Sequence, residues 1–306
     1  MANEAPAMFL SIVNSLKDPL EKTSFFNWLS EYLTNQNEIS CNHKKIAKSG
    51  EVLLSCIKSA IKEKVPFDAI MDSEKICFPT VGEDSHLHSK NSIHVDAFLY
   101  DDDDVEDLVE EGKLTRYFCK SCGSADVDKI TFITHSTSKE RLQYIFLDAL
   151  PSLKGKTIVD IGSRLGSVLY GAYVYSEAES IIGIEMNSEL CKLQNEIITR
   201  FKLTNRIKIV EGNMIDKSDI IKSAHVVVLN NVFEWFVSVE EQNELWRFLH
   251  KTLPKDCIIV ATPEIDKSLD LLSTGIVLDL WLKEIFVPKS DLEFVELSCI
   301  KFYSVL

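Results

Sequence analysis

Thr157-Ile158-Val159-Asp160-Ile161-Gly162-Ser163-Arg164-Leu165-Gly166 joins a β-branched apolar run to a loop whose two glycines stand four positions apart. The run Thr157–Ile161 predicts a buried strand, and the stretch behind the loop, to about Tyr175, predicts a helix. The same alternation continues outward. Ser180–Ile184 reads as a second strand and Ser188–Phe201 as a helix opened by a serine N-cap. Arg206–Val210, Ala224–Leu229 and Cys257–Ala261 read as further strands, with a helix over Glu240–Leu253 between the last two. Leu292–Val305 is strand-rich with little room for a turn, which suits an antiparallel edge. Strands alternating with helices at this spacing predict an α/β fold: a doubly wound, mostly parallel, Rossmann-like sheet.

In such sheets ligands sit beyond the carboxyl ends of the strands, where glycines let the backbone approach and helix-start amides point outward. The second strand runs through Ile182-Gly183-Ile184-Glu185-Met186. An acid at its end is placed to accept both ribose hydroxyls of a nucleoside cofactor. The bland alternative for Glu185 is a surface carboxylate. A dinucleotide site normally carries three glycines, whereas Arg164 occupies the middle position here and Asp160 immediately precedes the loop.

Acid-x-Gly-x-x-x-Gly over Asp160, Gly162 and Gly166 resembles motif I of the class I (seven-strand) S-adenosylmethionine-dependent methyltransferases, over roughly Leu150 to Leu306. The resemblance implies a seven-stranded sheet, with the loop Gly162-Ser163-Arg164 around the methionine moiety and Glu185, beside Met186, on the ribose. It also implies that Glu211-Gly212-Asn213-Met214 borders adenine. The family often has an acid where Asn213 stands; an amide oxygen still accepts from the exocyclic amine, as a neutral group. Val228-Leu229-Asn230-Asn231-Val232-Phe233 is similar to the Val-Asn-Asn-Phe pattern of the non-SET histone lysine methyltransferases. That type has glycine where this chain has Arg164. The arginine either fills the methionine pocket, turns outward, or pairs with the cofactor carboxylate.

Methyl transfer from a sulfonium is an in-line displacement that depends on alignment and exclusion of water. By the same resemblance Asn230, the first polar side chain after the fourth strand, contacts the cofactor and orients the acceptor. Phe233 is the aromatic wall of the acceptor channel. Trp235 and Phe236 offer the same surface, although packing of the next helix is the better reading for Phe236. Glu234 reads as a surface acid. Tyr170 and Tyr173 read as packing residues, and His225 lies at the wrong end of its strand for catalysis.

Upstream, Ala7–Leu16, Leu20–Leu33 and Lys44–Lys64 have helical apolar spacing, giving a helical region over 1–76 ahead of a segment 77–150 and a catalytic domain 151–306. The acidic run from Asp101 suits a helix start better than a substrate platform. Cys119-Lys120-Ser121-Cys122-Gly123 is a knuckle able to hold zinc, and His94 and His135 complete a four-ligand set. Cys77, His86 and His88 compete as ligands, and a reduced thiol pair is the alternative.

Eight cysteines in 306 residues are too sparse for a disulfide framework, which suits a cytoplasmic or nuclear protein. No apolar run is long enough to span a bilayer, and the acidic start Met1-Ala-Asn-Glu lacks the basic opening of a signal peptide. The net charge of −14, with neither half basic, disfavours nucleic acid and leaves a protein side chain as the expected acceptor. RNA and small molecules remain open as acceptors. The rival is a non-catalytic, methyltransferase-like binding module with Arg164 closing its pocket.

Overall fold

The computed structural model describes residues 50–119, 127–287, 297 and 299–306. The helices expected over Ala7–Leu16 and Leu20–Leu33, the thiol of Cys122 and the start of the C-terminal segment lie outside them.

The expected seven-stranded, mostly parallel sheet is present. Its strands, numbered here in chain order, are β1 (Thr157–Ile161), β2 (Ser180–Glu185), β3 (Ile207–Glu211), β4 (Val226–Asn230), β5 (Ile258–Thr262), β6 (Leu282–Glu284) and β7 (Lys301–Val305). Their order is β6-β7-β5-β4-β1-β2-β3. Only the pairings of β7 with β5 and with β6 are antiparallel. β7 is therefore the antiparallel strand expected near the C-terminus, placed one strand in from the edge. The edge itself is β6, which the sequence reading missed. It lies at the end of the apolar run Ile276–Leu282 and has only three residues, too few to show a period of two.

The centre of the sheet is covered on both faces, so β4 and β5 are apolar rather than alternating, whereas the outer β3 and β6 carry exposed Lys208, Glu211, Lys283 and Glu284. Ile158, Val159, Val227 and Ile259 are fully buried. The covering helices include α1 (Ser167–Tyr175), α2 (Ser188–Arg200) and α3 (Val239–Thr252). Asn187, not Ser188, caps α2, with its Oδ1 accepting from the N–H groups of Glu189 and Leu190. Ser238 and Glu241 form a reciprocal capping box at the start of α3.

Register positions the site. Ile161 pairs with Ile184 on one side and Leu229 on the other. The following residues, Gly162, Glu185 and Asn230, therefore stand abreast along the carboxyl edge. The chain winds toward β3 on one side of β1 and toward β5 on the other, so the topological switch point falls between β1 and β4, the place where open α/β sheets form a crevice.

Gly50–Leu306 forms one compact unit, so the segment before the sheet packs against it. Residues 50–62 are helical, in line with the pattern over Lys44–Lys64. The acidic run is a helix start, as its spacing indicates: Asp101 caps the helix Asp102–Glu110 in a capping box with Asp104. Strands Ser92–His94 and Thr131–Ile133 pair in parallel, and Tyr117–Cys119 pairs antiparallel with Val127–Lys129. No helix among the described residues is long and apolar enough to cross a membrane.

Candidate cofactor and acceptor site

A cavity of about 450 Å3 opens at the carboxyl edge over β1, β2, β3 and β4. That volume lies within the ordinary range for a small-molecule site. Gly162, Arg164, Glu185, Met186, Asn213, Met214, Asn230 and Phe233 line it, so eight of the expected cofactor and catalytic residues share one wall. His135, expected as a metal ligand, lines it too.

The local reasons differ from residue to residue. Gly162 has φ +72°, and a Cβ there would stand 2.5 Å from the Val232 side chain. Only glycine lets β1 and the loop after β4 approach this closely. Glu185 is nearly buried, and its two oxygens accept from the N–H groups of Arg164 (2.9 Å) and Asn187 (2.8 Å). A carboxylate offers about four lone-pair sites, which leaves two for a diol. Burial raises the Glu185 pKa above its ordinary value, and the two backbone N–H groups offset that only in part. The Asn213 oxygen expected for the adenine amine already accepts from Ile215 N–H at 3.0 Å, which fixes its rotamer at the cavity wall. Met214 is buried beneath it, while Met186 is 62% exposed at the rim.

Three expected cofactor residues do not line the cavity. The Asp160 carboxyl is buried, and burial together with the charge of Glu185 pushes its pKa well above the usual range. The Ser163 hydroxyl donates to Gln194 at 2.9 Å. Gly166 (φ +85°) stands against the ring of Tyr170, which a Cβ would approach to 2.8 Å. These residues shape the loop from below.

Arg164 neither fills the pocket nor presents its charge to a cofactor. Its backbone is left-handed, with φ +45°. Nε donates to Glu74 Oε1 (2.9 Å), Nη1 to Asp96 Oδ2 (3.2 Å), and Nη2 to the carbonyl oxygen of Ala69. The three charged side chains are 8%, 5% and 1% exposed. Asp96 is held in turn by the Ser136 hydroxyl and by the N–H groups of Phe98 and Leu99.

This ion cluster fastens an irregular strap, residues 69–78, across the mouth. At the β2 end the Ser73 hydroxyl meets Asn187 and Glu189, the latter at 2.6 Å. Over the β1 loop Glu74 meets Arg164, and beyond β4 Cys77 N–H donates to Trp235 O at 3.0 Å. Ser73, Glu74 and Lys75 line the cavity. Sequence reasoning missed them, since an irregular segment ninety residues upstream has neither periodicity nor motif.

The acceptor end is aromatic. Phe233 is buried edge-on against Trp246, and Trp235 packs against the rings of His94, His135 and Phe78. Phe236 both packs on His135, 5.1 Å between ring centroids, and lines the cavity. The Asn230 amide donates to the His135 carbonyl at 3.3 Å, leaving its own oxygen as the remaining polar end. Asn231, at φ +49°, makes the turn. Glu234 is no surface acid: it accepts from Ser268 at 2.9 Å, and burial raises its pKa.

Of the expected zinc set, His94 and His135 are brought together, with Nδ1 of the first and Nε2 of the second 3.1 Å apart. Cys119 ends the strand Tyr117–Cys119, and Cys122 is outside the described residues. Among the described residues no group of three or more His, Cys, Asp and Glu side chains is gathered to hold a metal. His135 is 7% exposed, and its Nδ1 has no hydrogen-bond partner.

No protein-family model matches the sequence, and no curated protein matches it. Solved structures with a similar arrangement include methyltransferases. An RNA methyltransferase from Salinibacter ruber in complex with S-adenosyl-L-homocysteine is 15% identical, with a TM-score of 0.36 over 55% of this chain and 90% of that one. A putative methyltransferase, yhhF from Escherichia coli, is 15% identical, with a TM-score of 0.40 over 56% and 87%. An O-methyltransferase from Bacillus cereus, also with the demethylated cofactor, is 16% identical, with a TM-score of 0.33 over 41% and 57%. Superpositions this weak carry none of the chemistry.

Proposed function

We propose that the chain is an S-adenosylmethionine-dependent methyltransferase acting on a protein side chain. The observation that carries this reading is the cavity at the carboxyl edge. In it a nearly buried Glu185 with two open lone-pair sites stands abreast of Gly162 and Asn230. The cofactor supplies a methyl group activated on a sulfonium. The residues present supply the rest. Glu185 accepts from the ribose hydroxyls, the Asn213–Met214 turn walls the base, and Gly162 lets the backbone approach the tail. Asn230 orients the acceptor, and Phe233 and Phe236 keep water from the reacting centre.

Four carboxylates, Glu74, Glu185, Glu241 and Glu244, line the cavity against one arginine and one lysine. That balance suits a cationic cofactor and a basic or neutral acceptor, and it disfavours a polyanion. Arg164 was the reason to suspect an inactive binding module, and its side chain leaves the cavity open. A zinc ion held by His94, Cys119, Cys122 and His135 belongs to the same proposal, supported by the convergence of the two histidine nitrogens. Elemental analysis that finds no zinc in protein purified without chelator overturns that part.

Calorimetry with S-adenosylhomocysteine tests the main reading, with binding expected in the micromolar range, about −8 kcal/mol. Glu185→Ala should weaken it by about 1.5–3 kcal/mol, the scale of hydrogen bonds to a charged group. Absence of binding to the folded wild type overturns the proposal.

The acid limb of that affinity is a separate expectation. Glu185 must be ionised to accept both hydroxyls, and its pKa is raised by burial. Affinity is therefore complete at pH values above that pKa and is lost as pH falls through it. The loss should begin at a higher pH than the roughly 4.3 of an ordinary glutamate. Titrations of the wild type and Glu185→Gln across pH 4–8 check this, the variant being weak and flat.

A further inference from the structure

Lys75 is a second, independent feature of the strap. Only two permanently charged cations line the cavity among the described residues, Arg164 and Lys75. The guanidinium of Arg164 is committed to Glu74, Asp96 and Ala69. Lys75 is exposed and has no ion-pair or hydrogen-bond partner among the described residues.

Its place along the mouth is set by its neighbours. The strap runs from Ser73, tied at the β2 end, over Glu74 at the β1 loop, to Cys77, tied beyond β4. Lys75 thus lies between the β1 and β4 anchors, over the switch point. A nucleoside whose ribose meets Glu185 and whose base meets Asn213 and Met214 has its 5′ substituent on the opposite side, under this stretch. If that substituent is an amino acid, its carboxylate enters a cavity with four carboxylates in the wall. Glu74 is neutralised by Arg164, and the tail's own α-ammonium answers the remaining wall carboxylates. That leaves the tail's carboxylate in need of a donor, and a flexible ammonium on a long stem is the group that accommodates it.

We propose that Lys75 binds the α-carboxylate of the cofactor's amino-acid tail, so that the strap contributes a cofactor contact as well as a cover. The inference rests on the S-adenosylmethionine reading. It adds a ligand contact from outside the sheet, on a residue with no role in holding the fold.

The test compares two probes on the full chain. S-adenosylhomocysteine carries the carboxylate, and 5′-methylthioadenosine has the same nucleoside and sulfur without it. Lys75→Met should weaken S-adenosylhomocysteine about tenfold and leave 5′-methylthioadenosine unchanged, with Lys75→Arg restoring most of the loss. The thermal midpoint should not move, because the side chain is exposed. Equal loss for both probes overturns the proposal in favour of a role in seating the strap. No loss for either overturns it in favour of a solvated lysine. A wild type that binds neither probe overturns the cofactor reading itself, and the proposal with it.

Discussion

Arg164→Met is expected to lower the unfolding free energy by about 3–5 kcal/mol, because it leaves Glu74 and Asp96 buried without their cation. For a domain of this size that is a fall on the order of 10 °C in the thermal midpoint. Two controls separate the causes. In a Glu74→Gln/Asp96→Asn background the same substitution should cost much less, since no buried anions remain to be stranded. Arg164→Gly should cost about 1 kcal/mol less than Arg164→Ala, because glycine relieves the left-handed backbone at φ +45°. Denaturant unfolding of the wild type and these five variants, the double-substituted background included, measures all three differences. If Arg164→Met unfolds at the wild-type midpoint, the ion cluster contributes nothing, and the strap is held by Ser73 and Cys77 alone.

Asn230→Ala is expected to act on rate rather than on fold or affinity. Asn230 is the last residue of β4, beside Gly162, with its amide nitrogen given to the His135 carbonyl. Its neighbour Asn231 takes the left-handed turn position, so the capping role open to either asparagine falls to the second. Removing the Asn230 amide should shift S-adenosylhomocysteine affinity by less than about tenfold, or 1.4 kcal/mol. The methylation rate should fall about a hundredfold, roughly 2.7 kcal/mol, because an in-line displacement is sensitive to small misplacements of the acceptor. Labelled-cofactor assays on fractionated extract read the rate, and calorimetry reads the affinity. Unchanged turnover in a folded variant removes Asn230 from the active site.

The sheet could be read from the amino-acid sequence because its determinants are local. Val226–Leu229 is apolar along its whole length, and Ile158–Ile161 is so except at Asp160, a pattern that a strand covered on both faces requires. The positions of Gly162, Glu185 and Asn230 at strand ends follow from the same runs: the first residue past a buried strand on the carboxyl side of a doubly wound sheet lies at the crevice. Parallel register then sets them side by side, as hydrogen bonding between strands of matched length demands. β6 escaped because three residues are too few for a pattern.

The destinations of the polar side chains were decided only by tertiary structure. The glycine loop could be read around Arg164, yet whether the arginine plugs the pocket or leaves it depends on Glu74 and Asp96, ninety and sixty-eight positions upstream. Glu234 follows one aromatic residue and precedes two more, so its environment was set by what packed on the loop, and Ser268 did. Lys75 belongs to a strap without secondary structure, tied down by bonds to β2, to the β1 loop and to the turn beyond β4. Strand formation is dictated by the covalent neighbours of each residue. The fate of a buried charge is dictated by the partner that compensates it, and that partner is a neighbour only after the chain has folded.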